Sequence, residues 1–266
     1  MNFKDTTYII MGGTTGMGLA AAVVLKSEGA NVVVVGRNEE SCTKAAETLG
    51  DGSICLSGDA TDPKTIQMSI ERAHDAFGEI TGLFHVAGGS GRKWGDGPLD
   101  KITLEGWNKT MELNLTSLML SNRAMVNYFL EHKISGVILN MGSVLGFSPS
   151  PKYFTTHAYA AAKSAVIGFS KSIASYYAEN DIRINVIAPS LFLTPMAKRA
   201  SEDEEILSFL KTKQPMDGGR PGLAEDINNA VLMFLHPGSK FITGQVLAVD
   251  GGWTLSEGQY GKGKTT

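Results

Sequence analysis

Tyr159 and Lys163 stand four residues apart in HAYAAAKSAV, with Ser143 and Asn114 upstream and a glycine-rich turn, Gly12 to Gly18, near the start. Residues at i and i+4 share a helix face, so the Lys163 ammonium can lie beside the Tyr159 phenol and lower a pKa that is ordinarily about 10. A phenol tuned in this way exchanges protons near neutral pH. Tyr260 and Lys264 repeat the spacing in GQYGKGKTT, where glycines disfavour a helix and chains commonly fray, so only the first pair is read as chemistry.

Positioning such a pair takes a scaffold, and the hydrophobic pattern supplies one. Short β-branched runs (Thr6 to Met11, Asn31 to Val35, Ser53 to Leu56, Gly82 to Val86, Gly136 to Asn140, Arg183 to Ile187, Gln245 to Val249) read as strands. Helical patterns fall between them, at Met17 to Glu28, Glu39 to Leu49, Pro63 to Phe77, Leu104 to Glu131, Thr156 to Glu179 and Ala224 to Leu235. The alternation predicts an α/β fold, a doubly wound parallel sheet between two helical layers (αβα). IIM, VVVV and VILNM are apolar throughout, as strands covered on both faces should be. No linker or repeat divides residues 1–266, so a single domain is expected. Residues 191–221 break the rhythm with Pro195, SEDEE and Pro215, and read as a substrate lid. Within it SEDEE reads as the solvated first turn of a short helix with Ser201 as its cap.

Composition narrows the classes. The chain has 42% hydrophobic residues, enough for a sizeable core, and a net charge of −3 from 24 basic and 27 acidic side chains. No basic run exceeds two residues, which argues against nucleic acid. The apolar run near the first residue is too short for a signal peptide or membrane span, so a cytoplasmic protein is expected. Cys42 and Cys55 form no CxxC and read as plain small side chains, and no metal site is expected.

Gly12, Gly16 and Gly18 follow the first strand and open the first long helix. Glycines there permit a tight turn and close approach of backbone to a pyrophosphate, which free N–H groups at the helix N-terminus attract. Thr14 and Thr15 offer hydroxyls to phosphate oxygens, and Met17 joins the same turn. At the end of the second strand, where an acid would bind an adenosine ribose, stand Gly36 and Arg37. A guanidinium there can pair with a 2′-phosphate, so NADP is expected over NAD. Asp59 ends the third strand beside Ala60 and is placed to bond adenine.

These residues bring out a resemblance. Through GGTTGMG, GDATD, MELNL around Asn114, Ser143, Tyr159xxxLys163, INVIAPS and ITGQVLAVDGG, the chain resembles the short-chain dehydrogenase/reductase family along nearly its whole length. The resemblance implies a Rossmann-type domain in which Tyr159 donates or accepts the proton and Ser143 bonds the substrate oxygen. Lys163 would hold the nicotinamide ribose and lower the Tyr159 pKa, with both residues bordering the cofactor, and Asn114 would position a relay water. Pro189, Phe192 and Thr194 would wrap the nicotinamide, while Ala87 and Gly88 would pass the adenosine ribose. It also implies a homotetramer packed through the helices Leu104 to Glu131 and Thr156 to Glu179.

The chain departs from that pattern at Met11, at His85 and Val86 in place of two asparagines, at Ser190 in place of a glycine, and in a longer stretch between Ser143 and Tyr159. That stretch must bulge, and it offers Pro149, Tyr153 and Phe154 to a pocket that Ser90 to Trp94, Phe192 and Met196 would complete. Tyr153 is passed over as the acid because His157, not lysine, follows four residues on. Aromatic and methionine content suggests a partly apolar carbonyl or alcohol substrate. Arg92 and Lys93 read as solvated loop, with an anionic substrate group as the alternative. The expected activity is hydride transfer between nicotinamide and a carbonyl or secondary alcohol. The alternatives are a 3-oxoacyl thioester reductase acting on an acyl carrier protein and a catalytically silent nucleotide-binding protein.

Overall fold

The computed structural model describes residues 1–194 and 197–257, without the side chains of Lys198 and Ser201. Pro195, Met196, Tyr260 and Lys264 lie outside the described residues. Seven strands form one parallel sheet: β1 (Thr7–Met11), β2 (Asn31–Gly36), β3 (Ser53–Ser57), β4 (Gly82–His85), β5 (Gly136–Met141), β6 (Ile182–Pro189) and β7 (Val246–Val249). Their order is β3-β2-β1-β4-β5-β6-β7. The direction of winding reverses between β1 and β4, and such a reversal opens a crevice beyond the strands' carboxyl ends.

Alternating side chains along each buried strand feed two cores. Tyr8, Ile10, Val32 and Val34 face one side, with α1 (Gly16–Ser27), α2 (Glu39–Leu49) and α9 (Asn228–Leu235) packed over them. Ile9, Met11, Val33 and Val35 face the other, under α3 (Pro63–Phe77), α5 (Ser117–His132) and α6 (His157–Tyr177). The molecule is therefore the expected three-layer, doubly wound single domain. Local signals start several of these helices. Asn38 accepts from the Ser41 amide ahead of α2, and Asp62 accepts from the Lys64 amide ahead of α3, whose first residue is Pro63.

Three stretches differ from the sequence expectation. The helix expected from Leu104 to Glu131 is α4 (Leu104–Met111) joined to α5 by a π-helical turn at Glu112–Thr116. Within it Asn114 turns its side-chain amide onto the Thr110 carbonyl, at 2.8 Å, and so competes with the α-helical ladder. The acidic run is capped by Asp203, which accepts from the Glu205 and Ile206 amides ahead of α8 (Glu204–Lys213), and not by Ser201, which ends α7 (Lys198–Ser201). An aspartate directly before the first turn is well placed to cap it, through both its acceptor oxygen and its charge. The expected helix from Ala224 begins as a 3-10 turn, Ala224–Ile227, before α9.

The segment expected to be a lid is closed at its base. Phe192 bridges to Gly222, the Leu193 amide donates to the Gly222 carbonyl at 2.7 Å, and the Gly222 amide donates to Leu191 at 2.9 Å. Between these ends, Ile206 and Leu210 of α8 pack with Val144 and Trp253 in a small third core. No described helix is long and apolar enough to cross a membrane.

Candidate active site

A cleft of about 850 Å³ runs across the carboxyl ends of the strands. Gly12, Thr14, Thr15, Gly16 and Met17 line one end with Arg37, Asp59 and Ala60, and Ala87 and Gly88 border its middle. Asn114, Ser143, Tyr159 and Lys163 line the other end with Pro189, Phe192 and Thr194. Of the residues expected to be catalytic or to bind the cofactor, all but Gly18 line this one cleft.

Gly18 does not line the cleft, and any Cβ there would collide with the Gly12 carbonyl oxygen, so the missing side chain allows close packing of helix on turn. Gly12 has φ +83° and its own added Cβ would lie 2.7 Å from the Ala87 amide nitrogen. A side chain is barred there twice, by conformation and by space. Thr14 is buried against Gly36, in the space a side chain at position 36 would need, and the exposed hydroxyl of the turn is that of Thr15.

At the far end of β2 and β3, Asp59 accepts from the Thr61 amide at 2.9 Å and from its hydroxyl at 2.8 Å. Burial raises its pKa, but these bonds and the nearby charge of Arg37 outweigh it, and the carboxyl stays below its ordinary range. Arg37 makes no ion pair among the described residues, so its guanidinium is available at the cleft edge.

Lys163 is buried, 3% exposed, and donates to the Met141 carbonyl at 2.8 Å while its ammonium lies 5.6 Å from the centre of the Tyr159 ring. Burial pulls its pKa down to about 8. The expectation that the phenol is lowered is corrected: burial pushes Tyr159 up to about 12, opposed only in part by a hydrogen bond from the Ser143 hydroxyl. Desolvation of a phenolate outweighs a single neutral donor, so the phenol holds its proton through the neutral range. Ser143 is itself fixed at a turn, where its hydroxyl accepts from the Leu145 amide at 3.2 Å.

Asn114 is fully buried and all of its amide is engaged. It donates to Gly89 and Thr110 carbonyls, both at 2.8 Å, and accepts from the Gly89 amide at 3.1 Å. The side chain therefore clamps the Gly88–Gly89 turn against Lys163. His85, at the end of β4, bonds the Ala87 carbonyl at 3.1 Å and the Ser121 hydroxyl at 2.7 Å. Burial first, and the charge of Lys163 second, drive its pKa to about 3, so it is a neutral ring beside a cation.

Two contributors escape sequence reasoning. The N-cap position of α6, Thr156, makes no side-chain cap bond. Asp96 replaces it from the loop after β4, accepting from the Ala158 amide at 3.0 Å and the Tyr159 amide at 3.1 Å. A carboxylate at a helix N-terminus is favoured by the free N–H groups and the dipole, and here it locks the backbone of Tyr159 itself. No signal within the WGDG segment marks it, because its partners lie over sixty residues away. The other is the backbone carbonyl of Met141, invisible to any reading of side-chain types. Of the bulge residues, Phe154 lines the cleft and Pro149 and Tyr153 do not; Tyr153 packs instead 5.1 Å from Phe209 of α8.

The residues fit a dinucleotide. Gly12 and Gly88 keep the floor free of side chains, and the Ser190 hydroxyl is buried in the cleft wall without a hydrogen-bond partner. Among the described residues no group of three or more His, Cys, Asp or Glu is placed to hold a metal.

A family model described as enoyl-(acyl carrier protein) reductase matches residues 12–254. The chain is 30% identical to 3β-hydroxysteroid dehydrogenase 1 of Eggerthella lenta over 98% of its own length and 99% of that protein. It is 32% identical to the 3-oxoacyl-[acyl-carrier-protein] reductase of Escherichia coli, over 95% and 98% respectively. Its fold superposes on a short-chain type dehydrogenase/reductase from Mycobacterium ulcerans with a TM-score of 0.87 at 27% identity, covering 96% of this chain and 92% of the other.

The helix cap on Tyr159 gives a direct test. Asp96→Ala should lower stability by about 0.5–2 kcal/mol through loss of the cap and reduce kcat at least about tenfold by misplacing Tyr159. Thermal melts and steady-state rates, with titration of the nicotinamide cofactor as a control for cofactor binding, check this; an unaltered kcat contradicts the role given to Asp96. With a cleft across the strands' carboxyl ends, a Tyr-Lys pair at its end and relatives matching over nearly the whole length, the chain belongs to the short-chain dehydrogenase/reductase family of oxidoreductases.

Proposed function

We propose that the protein is an NADP-dependent carbonyl reductase or alcohol dehydrogenase in which Tyr159 exchanges the proton with the substrate oxygen. The observation that carries this reading is the Tyr159 phenol held between the Ser143 hydroxyl and the buried Lys163 ammonium at the end of the cleft. Gly12, Thr15 and Gly16 would hold a pyrophosphate, Arg37 and Asp59 the adenosine end, and Lys163, Pro189, Phe192 and Thr194 the nicotinamide end. When bound, the nicotinamide supplies or accepts the hydride.

The remaining work falls to the chain. Reduction of a carbonyl develops negative charge on oxygen, which calls for a donor already in place. Ser143 orients that oxygen, and Tyr159, whose pKa of about 12 keeps it protonated, delivers the proton. Lys163 then lies near the phenolate and limits the energetic cost of its charge. Asn114 and Asp96 hold the two backbone segments, Gly88–Gly89 and the start of α6, that fix this geometry. A phenol held protonated favours the reductive direction. Lid closure over the substrate by residues 191–221 and a homotetrameric, cytoplasmic enzyme belong to the same proposal.

NADP is preferred because Arg37 stands free where an acid would otherwise meet the ribose, and Gly36 admits no side chain. A 3-oxoacyl thioester substrate remains a second reading, supported by similarity to the Escherichia coli reductase of that name. The silent alternative is disfavoured, since a lysine buried at this cost has no structural need of a tyrosine beside it.

Tyr159→Phe should lower kcat for NADPH-dependent ketone reduction by about 10²–10⁴-fold, the usual worth of a general acid, with NADPH binding by fluorescence little changed. Turnover at the wild-type rate would sink the assignment. Arg37→Asp should weaken NADPH binding by about 10- to 100-fold, the loss of a charge-assisted pair, and shift preference to NADH. An unaltered ratio of kcat/KM for the two cofactors would count against NADP.

A further inference from the structure

We infer that the cleft carries a subsite for a substrate's anionic group, formed by Arg92 and Arg199, so that the substrate is a ketone or secondary alcohol bearing a compact anion such as a carboxylate or phosphate. This deepens the reductase proposal and rests on it. Arg92 lies on the 3-10 turn Arg92–Trp94 and Arg199 on α7 of the lid, yet both line the same cleft as Ser143 and Tyr159.

Their placement is tied to the reacting end from both sides. Arg92 shares its short loop with Asp96, whose carboxylate bonds the Tyr159 amide, and Arg199 donates to the Tyr153 carbonyl at 3.4 Å in the loop leading to Tyr159. Burial first, and the like charge of Arg199 second, lower the Arg92 pKa, with Asp96 opposing them. Among the described residues neither arginine forms an ion pair. Asp96, the acid nearest in effect to Arg92, already spends its two oxygens on the α6 amides. Lys93 is engaged over the Trp94 ring at 4.0 Å and is not part of the pair.

Two like-charged guanidiniums lining one cleft without an ion pair among the described residues repel each other, and an anion between them removes that repulsion. Their planar donor forks suit a carboxylate or phosphate better than any neutral group. The phosphates of a dinucleotide are served elsewhere, at the Gly12–Gly16 turn and Arg37, whereas Arg92 and Arg199 stand with Phe154 and Trp253 at the substrate end. The cleft would then grip an apolar stem on its aromatics and an anionic head on its arginines, with the carbonyl left at Tyr159.

The experiment compares 5-oxohexanoate with its methyl ester, and 4-oxopentyl phosphate with the neutral alcohol, in the wild type and the Arg92→Gln, Arg199→Gln double variant. Wild-type kcat/KM should favour each anion over its neutral analogue by about 10- to 100-fold, and the double variant should bring the ratio close to one, mainly through KM. The larger of the two ratios identifies the head group. Quenching of Trp94 and Trp253 fluorescence by each anion in the enzyme–NADPH complex reads binding without turnover. Ratios near one in the wild type, or unchanged in the double variant, overturn the subsite while leaving the reductase reading in place. Quenching that the double variant abolishes, with no turnover of any ketone, supports the subsite and overturns the reductase reading instead; neither quenching nor turnover overturns the subsite too.

Discussion

A lysine ammonium buried beside a phenol is the constraint around which the rest of this molecule is arranged. Desolvation alone would drive such a group toward neutrality, and it pulls Lys163 down to about 8. The Met141 carbonyl accepts from that ammonium at the end of β5, and the ammonium's charge in turn helps burial to hold His85 neutral. Every element that touches this pair is stiffened. Asn114 spends its entire amide on the Gly88–Gly89 turn, Asp96 spends its carboxylate on the first turn of α6, and the π-helical turn carries Asn114 to where both bonds can be made.

The same logic explains why the sheet matters to the chemistry. Parallel strands deliver all their carboxyl ends to one edge, so β1, β4, β5 and β6 each place a short loop on the cleft. Their interiors are apolar on both faces and leave no slack, which makes those loop origins rigid. Residues 191–221 are tied back through Phe192 and Gly222 and rest on a small, partly aromatic core of their own. A rigid acid and a rigid glycine-lined floor suit a hydride-transferring enzyme, which needs its reacting groups held in place.

Much of this was legible in the sequence, for physical reasons. Doubly covered strands read as uninterrupted apolar runs, and Gly12 and Tyr159xxxLys163 are tied to local conformation, so their spacing carries the information. What was hidden depends on long-range contact or on burial. Asp96 acts on a helix over sixty residues away, Met141 acts through its backbone, and Tyr153 turns away from the pocket because Phe209 is there to receive it. The direction of the Tyr159 shift was misread because i,i+4 spacing speaks of charge proximity and says nothing of desolvation, which here is the larger effect.

The pH dependence of reductive kcat/KM tests the central claim most directly, since it reports ionisations of the free enzyme. With Tyr159 protonated up to about 12 and Lys163 titrating near 8, the account predicts a rate that holds through neutral pH and falls as pH rises through about 8. Lys163→Arg, whose charge does not titrate in this range, should move that fall to higher pH. A wild-type profile that stays flat to pH values well above 8, or a fall that Lys163→Arg leaves in place, would contradict the idea that a buried ammonium beside Tyr159 governs the reaction.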